Sequence, residues 1–188
     1  MFEVGQYIVY GAMGICRVRE IAVPSFCARG EERQYYTLTP VNETGEILVP
    51  VDAKVFMRPI ITREEAERLI DLIPTIRADA HHGERIQDLK VRYAEALRSH
   101  DCADLIELVM SIYARNRSRR QQNLRIGQID ENYMKRAESL LYGEFSLALG
   151  IPAADVEAYI RSRVRAAAKP AREKSGRDTP AAALDTSK

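Results

Sequence analysis

The chain has no tryptophan and only three cysteines among its 188 residues, and aromatic residues make up 7% of it. Cys16, Cys27 and Cys102 are odd in number and widely spaced, which argues against a disulfide framework and indicates free thiols in a reducing compartment. No apolar run approaches the length of roughly 18 residues that a membrane span needs. The N-terminus also lacks the basic start and apolar core of a secretory signal. These absences predict a globular, cytoplasmic protein.

Catalytic signatures are missing as well. The glycine pair Gly11 and Gly14 lacks the lysine and the strand-to-helix setting of a phosphate-binding loop. His81 and His82 are adjacent and have no cysteine or histidine partner at ligand spacing, so we expect a solvated loop rather than a metal site. The sequence therefore predicts no catalytic residue, no metal, no cofactor, no small-molecule substrate and no enzymatic activity.

The first sixty residues have the pattern of short β-strands. Apolar or alternating runs cover residues 7–10, 15–21, 34–39 and 46–51, and residues 55–57 provide a candidate fifth strand before Pro59. Residues 42–45 (NETG) are typical of a hairpin turn. Several short strands at this spacing favour a small barrel of the SH3-like or Tudor-like type, which we place at residues 1–61.

The hydrophobic period then changes to that of helices. Thr62 and Glu65 predict a capping box at the start of a helix. This helix is expected to end at about Ile73, because Pro74 cannot continue it. Residues 75–84 lack periodicity and are expected to be a linker or loop, so residues 62–83 form a connecting segment. Residues 84–165 are predicted to be an all-α domain, and residues 166–188, rich in Ala, Pro and charge, a disordered tail. The predicted fold class is therefore α+β in two domains.

Spacing and caps divide the helical domain further. An apolar stripe on its first helix identifies the residues that are expected to face the core, namely Ile86, Leu89, Tyr93 and Leu97. Asp101 and Asp130 are predicted to cap the next two helices, and Gly150 to end the second of these.

Two features are candidates for binding macromolecules. The uncharged run 47–51 (ILVPV) is either a core strand or an edge strand that pairs with a partner's sheet, and Pro50 favours the edge because proline cannot donate to a central ladder. Residues 115–125 carry five arginines and no acid, which suits phosphate contacts but also a solvated helix end. A weaker basic set, Arg85, Lys90 and Arg92, is diluted by neighbouring acidic residues.

With these residues in view, the chain resembles the CarD/CdnL family of bacterial transcription regulators over about residues 1–162. The similarity lies in residues 1–11 (MFEVGQYIVYG), Gly14, residues 35–38 (YYTL), 49–52 (VPVD), 57–60 (MRPI), 64–66 (EEA), Tyr93, and residues 95–97 (EAL), 101–102 (DC) and 141–144 (LYGE). The resemblance implies a Tudor-like domain that binds the RNA polymerase β subunit strand against strand. It also implies a helical domain that contacts promoter DNA near the upstream edge of the melted region.

The resemblance assigns polymerase contacts by position to Phe26, Ala28, Leu48, Val49 and Pro50. Relatives carry arginines at the positions that correspond to Phe26 and Leu48.

On the DNA side, relatives use a tryptophan wedge, whose position falls near Ile86 or near His82, and a lysine of relatives corresponds to Glu131. An isoleucine can act as an apolar wedge, but Ile86 also fits the core stripe. The predicted DNA-contacting residues are Arg85, Ile86, Lys90, Arg92, Arg117, Arg119, Arg120 and Arg125.

Two functions are compatible with these residues. The first is a regulator that binds polymerase and contacts promoter DNA weakly and largely without sequence preference, so as to modulate the open complex. The second is a polymerase-binding adaptor that has lost DNA contact, which the missing tryptophan favours.

Overall fold

The computed structural model describes residues 1–25, 33–81 and 83–167. In these ranges five strands precede five α-helices, which confirms the predicted α+β order. The strands are β1 (Tyr7–Tyr10), β2 (Gly14–Ala22), β3 (Tyr35–Pro40), β4 (Ile47–Pro50) and β5 (Met57–Pro59). The helices are α1 (Arg63–Leu72), α2 (Ile86–Ser99), α3 (Cys102–Gln121), α4 (Gln128–Leu149) and α5 (Ala153–Ala167).

The strands form one antiparallel sheet in the order β4-β3-β2-β1-β5, with the long strand β2 at its centre. Cys16 and Val18 of β2 and Leu38 of β3 are fully buried and form the centre of the sheet's apolar core. The pairing of β2 with β3 shifts between Val18 and Glu20, which is a β-bulge. A bulge changes which side chains face inward, and Ile21 accordingly packs against the core that Cys16 and Val18 occupy.

The described strands make an open sheet. β4 pairs only with β3, and β5 pairs only with β1, so these two strands are the edges within the residues that the structure describes. The closed barrel expected from the strand spacing is therefore not confirmed. The edge position of β4 agrees with Pro50, while Val49 of the same strand is 3% exposed and packs into the core. The run 47–51 thus combines an edge strand with one core-facing side chain.

The predicted helix caps are mostly confirmed. The Thr62 hydroxyl accepts from the Glu65 N–H, and an Asp101 carboxylate oxygen accepts from the Ala103 N–H at 2.7 Å. A short 3₁₀ turn at Ile73–Thr75 contains Pro74 and follows α1 directly. Gly150 ends α4 in the left-handed conformation, at φ 68°, as glycine permits.

The cap predicted at Asp130 is wrong. The N-cap of α4 is Gly127, three residues before the predicted cap, and Asp130 lies inside the first turn with only 3% exposure. Its carboxylate is instead bound by side chains of other helices: the Tyr93 hydroxyl donates to it at 3.2 Å, and Arg115 forms an ion pair with it at 3.3 Å. These tertiary partners give Asp130 a role that its local sequence does not indicate.

All five helices share one core, whose fully buried members include Ile70 of α1, Tyr93 of α2, Ile112 of α3 and Phe145 of α4. Helix α1 packs against α4 and α5, so the predicted connecting helix contributes to the helical core. The predicted domain boundaries remain predictions, and residues 168–188 of the predicted tail lie outside the described ranges. No helix in the described part of the chain is long and apolar enough to cross a membrane.

Candidate interaction surfaces

The edge strand β4 presents its second residue to solvent. Val49 and Leu48 lie opposite Tyr36 and Thr37 of β3, respectively, and because side chains alternate along a strand, Leu48 points away from the core that Val49 enters. Leu48 is 48% exposed. The edge of β4 that faces away from β3 pairs with no strand among the described residues. Among the residues that the structure describes, β4 therefore has one unpaired edge beside an exposed leucine.

Charged side chains surround Leu48. A shallow depression next to it is lined by Arg19 and Glu20 of β2 and by Glu46, which precedes β4. Sequence reasoning missed Arg19 as a neighbour of Leu48, because the two residues lie on strands that are separated by β3. The predicted contacts Phe26 and Ala28 lie outside the described residues.

The start of α2 carries the second predicted surface. Arg85 is the N-cap residue, and Arg85, Ile86 and Lys90 are all exposed. The core position considered for Ile86 is wrong: the side chain is 61% exposed, whereas Leu89 and Tyr93 are 2% and 1% exposed. Side chains in a helix tilt towards its N-terminus, so a residue in the first turn projects past the packed part of the helix.

Arg92 differs from the other basic residues of α2 because it is paired. It donates to a Glu84 carboxylate oxygen at 3.1 Å. A phosphate at this position would compete with that carboxylate. Arg85 and Lys90 have no such ion pair with any described residue, so they are the available cations beside Ile86.

The arginine-rich segment 115–125 divides into two groups. Arg115 is largely buried, donates to the His81 carbonyl at 2.8 Å and pairs with Asp130. Arg119 donates to the Arg125 carbonyl at 3.1 Å and thereby closes the turn after α3. Both side chains therefore support the fold.

Arg117, Arg120 and Arg125 are exposed, and within the described ranges they form no ion pair. The structure thus separates two structural arginines from three that are free to contact a ligand.

Residues 79–81 form an irregular segment that contacts α3. The Ser111 hydroxyl donates to the Asp79 carbonyl at 2.5 Å, and Arg115 donates to the carbonyl of His81. Two backbone carbonyls of the predicted linker are therefore bound by α3.

The Tyr93 hydroxyl and the Arg115 side chain both contact the Asp130 carboxylate. Burial raises the pKa of Tyr93, and the charge of Asp130 raises it further.

A buried ion pair joins the sheet to the helices. Arg58 of β5 donates to both carboxylate oxygens of Glu144 on α4, at 2.5 and 2.9 Å, and to the carbonyl of His100. The Glu144 carboxylate also accepts from the Ile61 N–H at 3.0 Å and from the Cys102 thiol at 3.2 Å. Glu144 is 3% exposed. This network holds β5 against the α2–α3 junction and α4.

Burial dominates the electrostatics of that junction. It raises the pKa of the Cys102 thiol, and the Glu144 carboxylate raises it further. Burial also acts to lower the pKa of Arg58, but the hydrogen bonds and charge of Glu144 outweigh this effect and raise it. For His100, which stacks on Phe56 at 5.0 Å, burial and then the charge of Arg58 lower the pKa. The junction thus favours the neutral forms of His100 and Cys102 beside the Arg58–Glu144 pair.

Sequence reasoning did not identify this network, although one signal for it was present. Glu144 lies on the same helical stripe as Ala137 and Leu141, where a charged residue is unusual and implies a buried partner. Nothing comparable marks Arg58, because its partner is 86 residues away.

Apart from His100 and Cys102 at the Arg58–Glu144 junction, the cysteines and histidines in the part of the chain that the structure describes lie apart. Cys16 and Cys102 are separately buried free thiols. His81 lies beside Asp79 and Glu84, with its Nδ1 at 3.5 and 3.3 Å from their carboxylates. No group of three or more His, Cys, Asp or Glu side chains able to hold a metal ion occurs among the described residues. Cys27 and His82 lie outside them.

Residues 2–61 match the family model described as CarD-like/TRCF RID domain. The match covers the five described strands and ends just before α1. No curated protein matches the chain.

Proposed function

Because residues 2–61 match the CarD-like/TRCF RID domain, we propose that the chain is a CarD-like regulator that binds the RNA polymerase β subunit through β4 and modulates the promoter open complex. The domain match indicates an RNA-polymerase-interacting, transcription-related protein. The observation that carries the finer proposal is the position of β4 at an edge of the sheet inside this domain. The matched domain is an interaction domain, which accords with a binding role and not with catalysis.

The contact with polymerase is proposed to be β-augmentation. A strand of the partner pairs with the free edge of β4, and Leu48 enters an apolar site beside it. Relatives carry an arginine at the position of Leu48. Here Arg19, on a different strand, shares a surface depression with Leu48 and is the cation proposed to contact the partner there. We include Phe26, Ala28, Val49 and Pro50 in the proposed contact as the family resemblance implies. The Tudor-like barrel that the resemblance also implies remains part of the proposal.

DNA contact is proposed for the start of α2. Ile86 is an exposed apolar side chain, and the two unpaired cations Arg85 and Lys90 lie near it in the sequence. An apolar side chain flanked by cations suits a wedge at a base step, with phosphates held on either side. Binding to polymerase raises the local DNA concentration, so weak contacts suffice.

The second candidate function is a polymerase-binding adaptor without DNA contact. The absence of tryptophan favours it, because isoleucine has a smaller apolar surface than an indole ring.

The test is a pull-down of purified RNA polymerase by the full chain. We expect Leu48→Glu to abolish capture, because a carboxylate would have to be buried against the partner strand. Val55→Glu is the matched control: Val55 is 45% exposed, close to the 48% of Leu48, and precedes the opposite edge strand. Capture of polymerase by Leu48→Glu as efficient as by Val55→Glu would reject the assigned edge.

The DNA arm uses a forked promoter fragment with polymerase present. Replacing both Arg85 and Lys90 by glutamate should flatten the dependence of log affinity on log salt by about two units, roughly 0.9 for each lost phosphate contact. Ile86→Ala should weaken binding at every salt concentration without changing the slope. If neither variant alters affinity or slope while polymerase is still bound, the adaptor function is correct.

A further inference from the structure

An open groove of about 700 Å³ lies between the second half of α3 and the first half of α4. Tyr113, Arg117 and Arg120 line it from α3, and Met134 and Lys135 line it from α4. The three α3 residues are spaced four and three apart, so they lie on one face of the helix. The groove is therefore a continuous surface that combines an aromatic ring, a thioether and three cations.

The side chains of Tyr113, Arg117 and Arg120 are available to contact a ligand. Tyr113 is 56% exposed, unlike Ile112 before it, which is fully buried. Arg117 and Arg120 form no ion pair within the described ranges, in contrast to Arg115 and its buried partner. An exposed aromatic ring with unpaired guanidinium groups one and two turns away has the composition of a stacking platform for nucleotides.

Asn116 adds an unused hydrogen-bonding group. It lines the groove, and its side-chain oxygen is buried without a partner among the described residues. A buried acceptor without a donor costs free energy, so the Asn116 amide gains a hydrogen bond if its side chain turns towards a donor in the groove.

The two walls of the groove differ in charge. On the α4 wall Lys135 lies between Glu131 and Glu138, whereas the α3 wall carries Arg117 and Arg120 without a carboxylate. Burial raises the pKa of Glu138, and the charge of Glu157 raises it further. Phosphates are therefore attracted to the α3 wall, which also carries Tyr113.

We propose that the α3–α4 groove binds single-stranded DNA, with a base stacked on Tyr113 and successive phosphates held by Arg117 and Arg120. A single strand has bases that are free to stack on an aromatic ring, whereas a duplex keeps its base faces inside its own stack. The occupant is the strand that a melted duplex releases, and this assignment to a promoter strand rests on the proposed function.

The groove lies one helix away from the proposed duplex contact. Tyr133 of α4 packs edge-on against Tyr93 of α2 at 5.3 Å, and its hydroxyl is 3.5 Å from the Lys90 carbonyl. The next two residues, Met134 and Lys135, line the groove. A helix with its side chains is roughly 10–12 Å across. A DNA strand that advances about 3.4 Å per nucleotide therefore needs roughly three or four nucleotides to pass over α4, from the proposed duplex contact to the groove. One protein surface could thus hold the two sides of a DNA fork.

The test measures binding of the full chain, without polymerase, to a labelled, unstructured DNA strand of mixed sequence and about a dozen nucleotides, and to a hairpin duplex of the same charge. We expect the single strand to bind more tightly. Tyr113→Ala should weaken its binding about tenfold or more, as loss of a base–aromatic stack does, while Tyr113→Phe retains it. Because Tyr113 is exposed, neither substitution should change the thermal unfolding of the protein.

Charge is tested by comparing Arg117→Gln with Arg165→Gln, an exposed arginine on α5 that forms no ion pair within the described ranges. Only the first should weaken single-strand binding. Equal affinity for the two DNA forms, or a Tyr113→Ala protein that binds like the unchanged chain, would overturn the inference. If polymerase is still captured in that case, only the groove assignment fails. Loss of polymerase capture with intact single-strand binding would remove the proposed function alone.

Discussion

Replacing Glu144 by glutamine should remove a substantial part of the stability of the fold. The Glu144 carboxylate receives two hydrogen bonds from Arg58, one from the Ile61 N–H and one from the Cys102 thiol. A glutamine side chain keeps one acceptor oxygen and turns the other into a donor that faces these groups. At least two donors, one of them on a charged guanidinium group, therefore lose their partner in a site where Glu144 is 3% exposed.

The expected loss is about 3 kcal/mol of unfolding free energy, the lower end of the range for breaking a buried pair. The lower end applies because the Arg58 side chain retains 23% exposure and some access to water. For a chain of this length such a loss lowers Tm by about 6–12 °C. Urea unfolding followed by circular dichroism measures it, and an unchanged m-value indicates that the extent of unfolding is the same.

An exposed pair provides the matched control. Glu65 accepts from Arg68 at 2.9 Å, but these side chains are 47% and 62% exposed, so Glu65→Gln should cost only about 0.5 kcal/mol. Combining Glu144→Gln with Arg58→Met should recover part of the loss, because no unpaired charge is then left behind. A loss below about 1 kcal/mol for Glu144→Gln, the size typical of exposed pairs, would refute the buried-network reasoning.

Two further predictions concern the same junction. Cys102 should react with iodoacetamide at pH 8 far more slowly in the folded protein than in urea, since burial raises its pKa; equal labelling of its peptide in both states, read by mass spectrometry, would contradict this. Because the His100 pKa is lowered on folding, the unfolded chain binds more protons below about pH 6.5, so stability should fall as the pH drops through that value. His100→Asn, which tolerates the left-handed backbone at φ 53°, should reduce that fall; an identical Tm-versus-pH curve for both proteins would count against this assignment.

Local sequence was sufficient to predict most of the secondary structure. The order of strands and helices, the caps at Thr62 and Asp101 and the end of α4 at Gly150 follow from side-chain period and from groups that act within a few residues. Pro50 indicated an edge strand for the same reason, since a missing N–H is a property of one residue. The family resemblance of the N-terminal part was likewise visible in the order of short motifs and is confirmed by the match over residues 2–61. The polymerase and DNA contacts assigned from it remain predictions.

Tertiary structure decided what those local signals could not. Periodicity included Ile86 in the core stripe, but exposure depends on whether another helix covers the first turn, and none buries it. Asp130 has the residue type of a cap, yet Tyr93 and Arg115 engage its carboxylate from helices that precede it in the chain. The arginines of residues 115–125 look equivalent in sequence, and only packing separates Arg115, bound to Asp130, from Arg117, which lines the groove. The sequence by itself determined where helices and strands form, because those preferences act through near neighbours along the chain. Only the folded chain determined which charges are paired and which surfaces are free, because those properties depend on residues that are distant in sequence.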